Sequence, residues 1–567
     1  MRSPCIGETG NRRNDFATGY VKSWLSRLGG ELLDRSRTAV PSGKCVSLLA
    51  LLVFAAALWG INPNVLGLFH DDAIYVAVAK SLNEGEGYRI ASLPSTPAQT
   101  KYPFLYSYAL SWLWYFHPSF PENIFVLKSF NAVLLGAMFL LSYCFYCKNT
   151  ERPRLEALLY AMLVCSNPAV FSLTDLTLSD LLFMLLTLSA LFICHGSAPS
   201  SRLGVAILSV VIGLACLTKP AAAPLAFAGA VFLVRRYRDL ILYMVSLLVF
   251  TLPWVLWVAQ QATPHPNSLI AYYLSYNVRV SGIDEMFQLV VGNLAYLYTS
   301  LDRIFPSAKL PALRLLVCLL TGLGLCFSVR RHNSFFWAFI ISYMMLVLVW
   351  PFHPLRYGLP LIPVLMLFLF RGIEEARRLM GRIVVQLGSI QIDRLLARAF
   401  LLLLIVLNFA WLSSYLFLKS ENHTRAFFGG RFKYAWSGFL ETFDWVRRNT
   451  DHRDILATGY DPMYYHYTGR KAVRPGLHKP ETYFYPYGKA VPDVGTAEEI
   501  MTQLESLGVG YLIIDPLDGY AEGAAQMKIF ADLLDAYSPR PALVFISSDA
   551  KHRVYKLSPP RLVRHDG

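Results

Sequence analysis

From Val46 to Leu418 the chain is dominated by apolar runs separated by links, and continuous apolar runs of this length read as transmembrane helices. The runs are Val46 to Ile61, Ile124 to Cys147, Leu155 to Phe171, Ser179 to Cys194, Leu203 to Leu217, Ala221 to Val234, Leu240 to Val258, Leu315 to Phe327, Phe335 to Trp350, Tyr357 to Phe370 and Phe400 to Leu418. With 55% hydrophobic residues, 16% charged residues and a mean hydropathy of +0.40, the chain is solvated largely by lipid. The expected class is a polytopic α-helical membrane protein of about eleven transmembrane helices, followed by a C-terminal soluble α/β domain.

The formal charge of +14 does not point to nucleic acid, because the Lys and Arg residues fall in short clusters between apolar runs rather than on one face. Residues 1–44 carry Arg2, Arg12, Arg13, Lys22, Arg27, Arg35, Arg37 and Lys44. When the runs are threaded alternately, the later clusters at 148–154, 202, 235–238, 330–331 and 371–398 all land on the side of this tail. The positive-inside rule then puts the N-terminus in the cytoplasm and the C-terminus outside an inner (plasma) membrane. The first run lies too far into the chain for a signal peptide and is retained. Gly372 to Arg398 reads as an arginine-rich helix on the cytoplasmic surface.

Three parts follow: a cytoplasmic tail (1–44), a membrane domain (45–419) with a large outer loop (63–122), and an extracytoplasmic α/β domain (420–567). In the last, Phe439 to Arg448 has helical spacing, and Thr496-Ala497-Glu498-Glu499 is a capping box for a helix that stops at Gly508. Asp454 to Thr458, Tyr511 to Asp515 and Leu543 to Ile546 read as strands, the latter two buried. This part has no evident nucleophile or phosphate loop and is expected to cover a cavity or help choose an acceptor. All nine cysteines precede residue 327, so no disulfide framework is indicated; Cys144 and Cys147 read as core packing.

The chemical centre is His70-Asp71-Asp72-Ala73-Ile74-Tyr75, because two adjacent carboxylates beside a bilayer are costly to keep. Ile74, Val78 and Leu82 recur every four residues, which suits a helix lying in the interface plane and ending at Gly85-Glu86-Gly87-Tyr88. Lys101-Tyr102-Pro103 and an aromatic stretch from Tyr106 to Phe116 follow at headgroup depth.

This order of motifs resembles the first outer loop of the GT-C membrane glycosyltransferases, nearest to the lipid A aminoarabinose transferases and the protein O-mannosyltransferases. Ser179-Asp180, Leu217-Thr218-Lys219-Pro220 and the stretch His353-Pro354-Leu355-Arg356-Tyr357-Gly358 extend the resemblance over most of residues 45–371. It implies transfer of a sugar from a polyprenyl-phosphate donor to an envelope lipid, glycan or protein, with no nucleic acid involved. It also implies Asp71 as general base, paired with Asp72, which stands where the relatives often carry Glu. Lys101 matches a lysine that contacts the donor phosphate.

On chemical grounds Arg356, at the outer mouth of a run, suits a phosphate because its fork binds two oxygens. Lys219 is a further phosphate candidate, and His70, Tyr102, Asp180, His353 and Tyr357 are supporting candidates. Blander roles stand beside these: Asp71 and Asp180 as helix caps, Lys101 as a snorkelling lysine, Lys219 as the anchor of a turn. His70 and His353 with Asp71 and Asp72 invite a divalent cation, which some members of the family use, but two histidines so far apart make a weak case and no metal ligand is assigned. The rival class is a transporter or lipid flippase with the carboxylates as ion-coupling groups. A rival of that class is expected to show paired halves and mid-membrane charges, which this sequence lacks. A third reading, a receptor with a ligand-binding C-terminal domain, leaves the outer-loop motifs unexplained.

Overall fold

The computed structural model describes residues 43–150, 154–196, 201–261, 265–274, 282–305, 310–350, 354–384, 392–420, 436–475, 496–516, 523–536 and 540–557. Each of the eleven apolar runs is helical over most of its length. Among the described residues, five helices are long and apolar enough to cross a membrane: Gly43–Gly60, Ile124–Asn149, Tyr237–Gln261, Pro311–Ser328 and Leu355–Met380. A sixth span is formed if Leu155–Cys165 and Pro168–Asp175, bent by 58°, count as one. The bend falls at Asn167-Pro168, where proline cannot donate to the helix ladder and the Asn167 side chain caps Ala169 N instead. Asp180–Ile193, Arg202–Cys216, Pro220–Leu233, Ser334–Leu348 and Ala399–Ser414 are shorter apolar helices.

Tyr237–Gln261 exposes Ile241, Val245, Leu248, Val249, Leu252 and Leu256, a face suited to lipid. In lipid such faces gain nothing by meeting one another, so close packing decides which helices associate. The helix Ile362–Val384 crosses Pro311–Ser328 with backbone against backbone. A Cβ on Gly324 would lie 1.8 Å from the Phe368 carbonyl oxygen, and one on Gly372 would lie 1.7 Å from that of Leu320.

Outside these spans, the helix Asp71–Asn83 packs against Leu105–Phe116. It departs from the expected surface helix, because Ala73 through Ala79 are all buried, which a helix resting on lipid would not achieve. It is also packed against a helix from the C-terminal part, Asp461–Thr468. His466 Nε2 donates to Ala73 O (2.9 Å), Lys80 Nζ to Tyr465 Oη (3.0 Å), and Tyr467 Oη to Asn64 O (2.7 Å).

The C-terminal part is a mixed five-stranded sheet with helices: β1 (Ile455–Thr458), β2 (Ala472–Val473), β3 (Val509–Ile514), β4 (Ala542–Ile546) and β5 (Arg553–Lys556), in the order β2-β1-β3-β5-β4. β1 is parallel to β2 and β3, and β5 is antiparallel to β3 and β4. The capping box forms as expected, with Glu499 N donating to Thr496 Oγ1 and Thr496 N to the Glu499 carboxylate. Gly508 follows that helix at φ +69°, in the left-handed region.

One expectation is corrected here. β4 is an edge strand with Leu543, Val544 and Ile546 exposed, rather than buried. Of the arginine-rich stretch, Gly372 to Val384 belong to the helix Ile362–Val384 and Ile392 to Arg398 to the helix Ile392–Ser420, and residues 385–391 between them lie outside the described residues. The helix Ile283–Thr299 was not anticipated, because Asp284, Gln288 and Asn293 break any apolar run there.

Candidate active site

The turn that starts the helix Asp71–Asn83 is unusual. His70 has φ +67° and ψ −65°, and Asp71 N donates to Phe69 O at 2.9 Å, closing a three-residue γ-turn of the strained, positive-φ kind. A residue other than glycine held there costs roughly 1–3 kcal/mol and persists only when its surroundings impose it. The turn aims Asp71 away from its own backbone. Tyr102 Oη donates to Asp71 Oδ1 (2.9 Å) and Arg356 Nη1 to Asp71 Oδ2 (2.6 Å), so Asp71 does not cap the helix.

Arg356 lies in the short helix Leu355–Gly358, followed by a tight turn, Leu359–Leu361, before the long helix resumes. Its Nε and Nη2 reach Asp180 Oδ2 at 3.0 and 2.9 Å, and Lys219 Nζ reaches Asp180 Oδ1 at 2.6 Å. Asp180 is the first residue of its helix, and Lys219 sits in the link between two short helices. The Tyr357 ring lies beneath the Lys219 ammonium, 4.6 Å from its centroid, and the Phe69 ring beneath the Arg356 guanidinium at 5.1 Å.

The result is an alternating row, Asp71, Arg356, Asp180, Lys219, with a gradient of access. Asp71 keeps 24% of its side-chain surface exposed and Arg356 12%, against 1% for Asp180 and 7% for Lys219. Burial alone would raise the Asp71 carboxyl, but the Arg356 charge, with help from His70, outweighs it and holds the group well below the usual carboxylate range.

Asp72 lies apart from this row. Its carboxylate accepts from Gly67 N and from Ala73 N, each at 3.0 Å, and Thr177 Oγ1 donates to its carbonyl. Gly67 is at φ +98°, and a Cβ there would lie 2.6 Å from Met463 Cβ, so the turn needs glycine. Burial pushes the Asp72 carboxyl up despite the Gly67 N–H and the Lys128 charge.

Lys101 and Tyr102 are both positioned by Gln99, whose Oε1 accepts from their backbone N–H groups at 2.8 and 3.2 Å. Lys101 Nζ donates to the Tyr272 carbonyl (3.0 Å) at the end of the helix Ser268–Leu274 and lies 4.2 Å from the Tyr272 ring centroid. Burial pulls its ammonium down to about 8, partly opposed by the Asp71 charge.

His353 lies outside the described residues. Sequence reasoning missed Asp461 and Tyr273: His70 Nε2 is 3.0 Å from Asp461 Oδ1, and Tyr273 Oη donates to Asp461 Oδ2 at 2.8 Å. It also missed the role of Tyr75, whose hydroxyl pairs with Ser179 Oγ (2.9 Å) beside Asp180. Tyr75 belongs to the motif and was the findable one; Asp461 opens a distant helix and carries no local signal.

Among the described residues no three His, Cys, Asp or Glu side chains converge as metal ligands. Asp71 already has a guanidinium on one oxygen and a hydroxyl on the other, and His353, the second histidine of the cation reading, lies outside the described residues.

This arrangement of a helical unit with an α/β unit at its C-terminal end is shared in fold with several solved proteins. ArnT from Cupriavidus metallidurans bound to undecaprenyl phosphate is similar over 92% of this chain and 100% of its own, with a TM-score of 0.51 and 14% identity. The Archaeoglobus fulgidus oligosaccharyltransferase AglB, solved with an inhibitory peptide and a dolichol-phosphate, is similar over 90% of this chain and 74% of its own, at a TM-score of 0.51 and 13% identity. An Archaeoglobus fulgidus oligosaccharyltransferase solved in complex with Zn and sulfate is similar over 89% of this chain and 72% of its own, at a TM-score of 0.52 and 13% identity. At these identities the likeness is one of fold. Neither a known sequence family nor a curated protein matches the chain.

Proposed function

We propose that this chain is a multi-pass membrane glycosyltransferase that moves a sugar from a polyprenyl-phosphate donor to an extracytoplasmic lipid, glycan or protein acceptor. What carries the proposal is the row Asp71, Arg356, Asp180, Lys219, drawn from four separate stretches, with its accessible end at a carboxylate. The domain division 1–44, 45–419 and 420–567, the eleven spans, the cytoplasmic N-terminus and the extracytoplasmic site are parts of the same proposal. Solved proteins of this fold that hold undecaprenyl phosphate or dolichol-phosphate support the choice of donor class.

The chemistry follows from the charges. The acceptor hydroxyl or amine attacks the anomeric carbon and loses its proton to Asp71, while the bond from that carbon to the phosphate oxygen breaks and the lipid phosphate leaves with the electron pair. A phosphate is an adequate leaving group and, among the described residues, no second carboxylate is placed as nucleophile, so one inverting displacement suffices. Arg356 and Lys101 supply the donors for the phosphate, with Lys219 behind them. Because Arg356 also neutralises Asp71, an arriving phosphate competes for the guanidinium. A charge pair at about 4 Å is worth roughly 4 kcal/mol at an effective dielectric of about 20, so releasing Asp71 from Arg356 makes it a markedly better base when donor is bound.

The test is incubation of the purified protein with labelled polyprenyl-phosphate sugars and extracted envelope lipids, glycans and proteins. Sugar transfer is expected; lipid movement without transfer would replace the proposal with a flippase.

A further inference from the structure

We propose that Asp461, from the C-terminal part of the chain, is a positioning residue for Asp71 and acts through His70. This rests on the function proposed above. Asp461 is fully buried, and both of its oxygens are used outside its own helix: Oδ1 faces His70 Nε2 at 3.0 Å and Oδ2 accepts from Tyr273 Oη at 2.8 Å. An acid at the first position of a helix is ordinarily explained by the helix dipole or by capping. Here neither oxygen is bonded to the backbone of the helix Asp461–Thr468.

The His70 ring is therefore clamped on its far side. A carboxylate only accepts, so Nε2 carries a proton, and Nδ1 is left facing Asp71 Oδ1 at 4.0 Å. The Tyr273 ring packs against it with centroids 5.5 Å apart. Burial works against a charge on His70, but the Asp461 carboxylate outweighs it, so the ring holds its proton more firmly than a free histidine does. The charged and titratable groups facing the ring are Asp71 from its own turn, Tyr273 from the helix Ser268–Leu274, and Asp461 and Arg474 from the C-terminal part.

The clamp matters because of the backbone it holds. His70 is the central residue of the positive-φ γ-turn that sets the direction of Asp71. Releasing the ring lets that turn relax, and Asp71 leaves the Tyr102 and Arg356 groups that fix it. Misplacement of a reacting group by about 1 Å can cost on the order of a hundredfold in rate. Docking of the C-terminal part does not depend on Asp461, since His466, Tyr465 and Tyr467 of the same helix bind the outer loop, and Ala472 N donates to Ser92 O at 3.0 Å.

The experiment compares wild type, Asp461→Asn, Asp461→Glu and Tyr465→Phe as full-length proteins in nanodiscs, measuring transfer from a labelled polyprenyl-phosphate sugar between about pH 5 and about pH 9. Asp461→Asn is expected to lower kcat by about tenfold to a hundredfold with the donor KM within about twofold of wild type. The alkaline limb of its kcat profile is expected to move to lower pH, because His70 gives up its proton more easily without the carboxylate. Asp461→Glu should restore part of both, and it serves as the variant of record should Asp461→Asn not fold. Tyr465→Phe loses only the bond from Lys80 and should keep the wild-type kcat and profile. An active wild type with an unchanged Asp461→Asn, or a Tyr465→Phe as impaired as Asp461→Asn, overturns the positioning role and leaves the proposed function standing. A wild type that transfers no sugar from any donor overturns both.

Discussion

Arg356 Nη1 lies 2.6 Å from Asp71 Oδ2, although 285 residues separate the two along the chain. The same guanidinium holds Asp180 through Nε and Nη2, so one cation serves two carboxylates and an arriving phosphate competes with them for its charge. Of its two partners, Asp180 is the one sealed in the protein and also tied to Lys219, whereas Asp71 is partly open. Donor binding is thus expected to free Asp71 and leave the inner pair intact.

Asp71 and Asp72 should respond differently to substitution. Asp71→Asn keeps size and removes the proton acceptor, so transfer falls by roughly a hundredfold or more while donor binding persists. Asp72→Asn disturbs the bonds to Gly67 N and Ala73 N and should show mainly as lost stability, about 1–3 kcal/mol. Transfer rates and thermal melts of the two variants decide this, and the reverse pattern would exchange their roles.

Arg356→Lys should behave nearly as badly as Arg356→Gln. A single ammonium cannot bridge Asp71 and Asp180 in the way the planar fork does. Both variants are expected to bind the donor about tenfold or more weakly, since a hydrogen bond to a charged group contributes roughly 1.5–3 kcal/mol. Donor affinity measured in nanodiscs checks it, and full rescue by lysine would count against a bridging role.

The pH dependence of donor binding should follow Lys101. Its ammonium is pulled down to about 8 by burial, so it becomes neutral as pH rises through that value and loses its attraction for phosphate. Affinity is expected to weaken above about pH 8 in the wild type and to lose that dependence in Lys101→Gln. On the acid side the sign is opposite. The carboxyl of Asp71 is depressed in the folded protein, so its pair with Arg356 stabilises above the free-carboxyl range near about pH 4 and is lost as the pH falls further.

Topology supplies a fourth test. Single cysteines introduced at positions in 1–44 should be shielded from an impermeant thiol reagent in intact cells, and those beyond residue 436 should be labelled. Labelling of both ends, or of neither, would require an even number of spans in place of eleven.

Much of the helical frame is legible in the sequence because lipid imposes both a length and a composition on whatever crosses it, and all eleven apolar runs are helical. Ile283–Thr299 escapes that rule through its polar residues. Short motifs likewise single out Asp71, Tyr102, Asp180, Lys219 and Arg356 one at a time. Their alternation of charge is not legible, because it depends on how helices far apart in sequence come to lie side by side. Asp461 is the extreme case: Asp461-Pro462 reads as an ordinary helix start, and only the docking of the C-terminal part on the helix Asp71–Asn83 and its flanking turns brings it to His70.

The crossing of Gly324 with Gly372 has a bearing on which changes this chain can tolerate. Gly372 stands sixteen positions beyond Arg356, roughly 24 Å at about 1.5 Å per residue, about two thirds of the way along the same span. A methyl group at either glycine has no room, so the two helices would have to part and the segment bearing Arg356 would shift with them. A mutational scan of activity would then mark both glycines as intolerant although neither approaches the chemistry, and a lesion there would show as catalytic failure in a protein that still reaches the membrane.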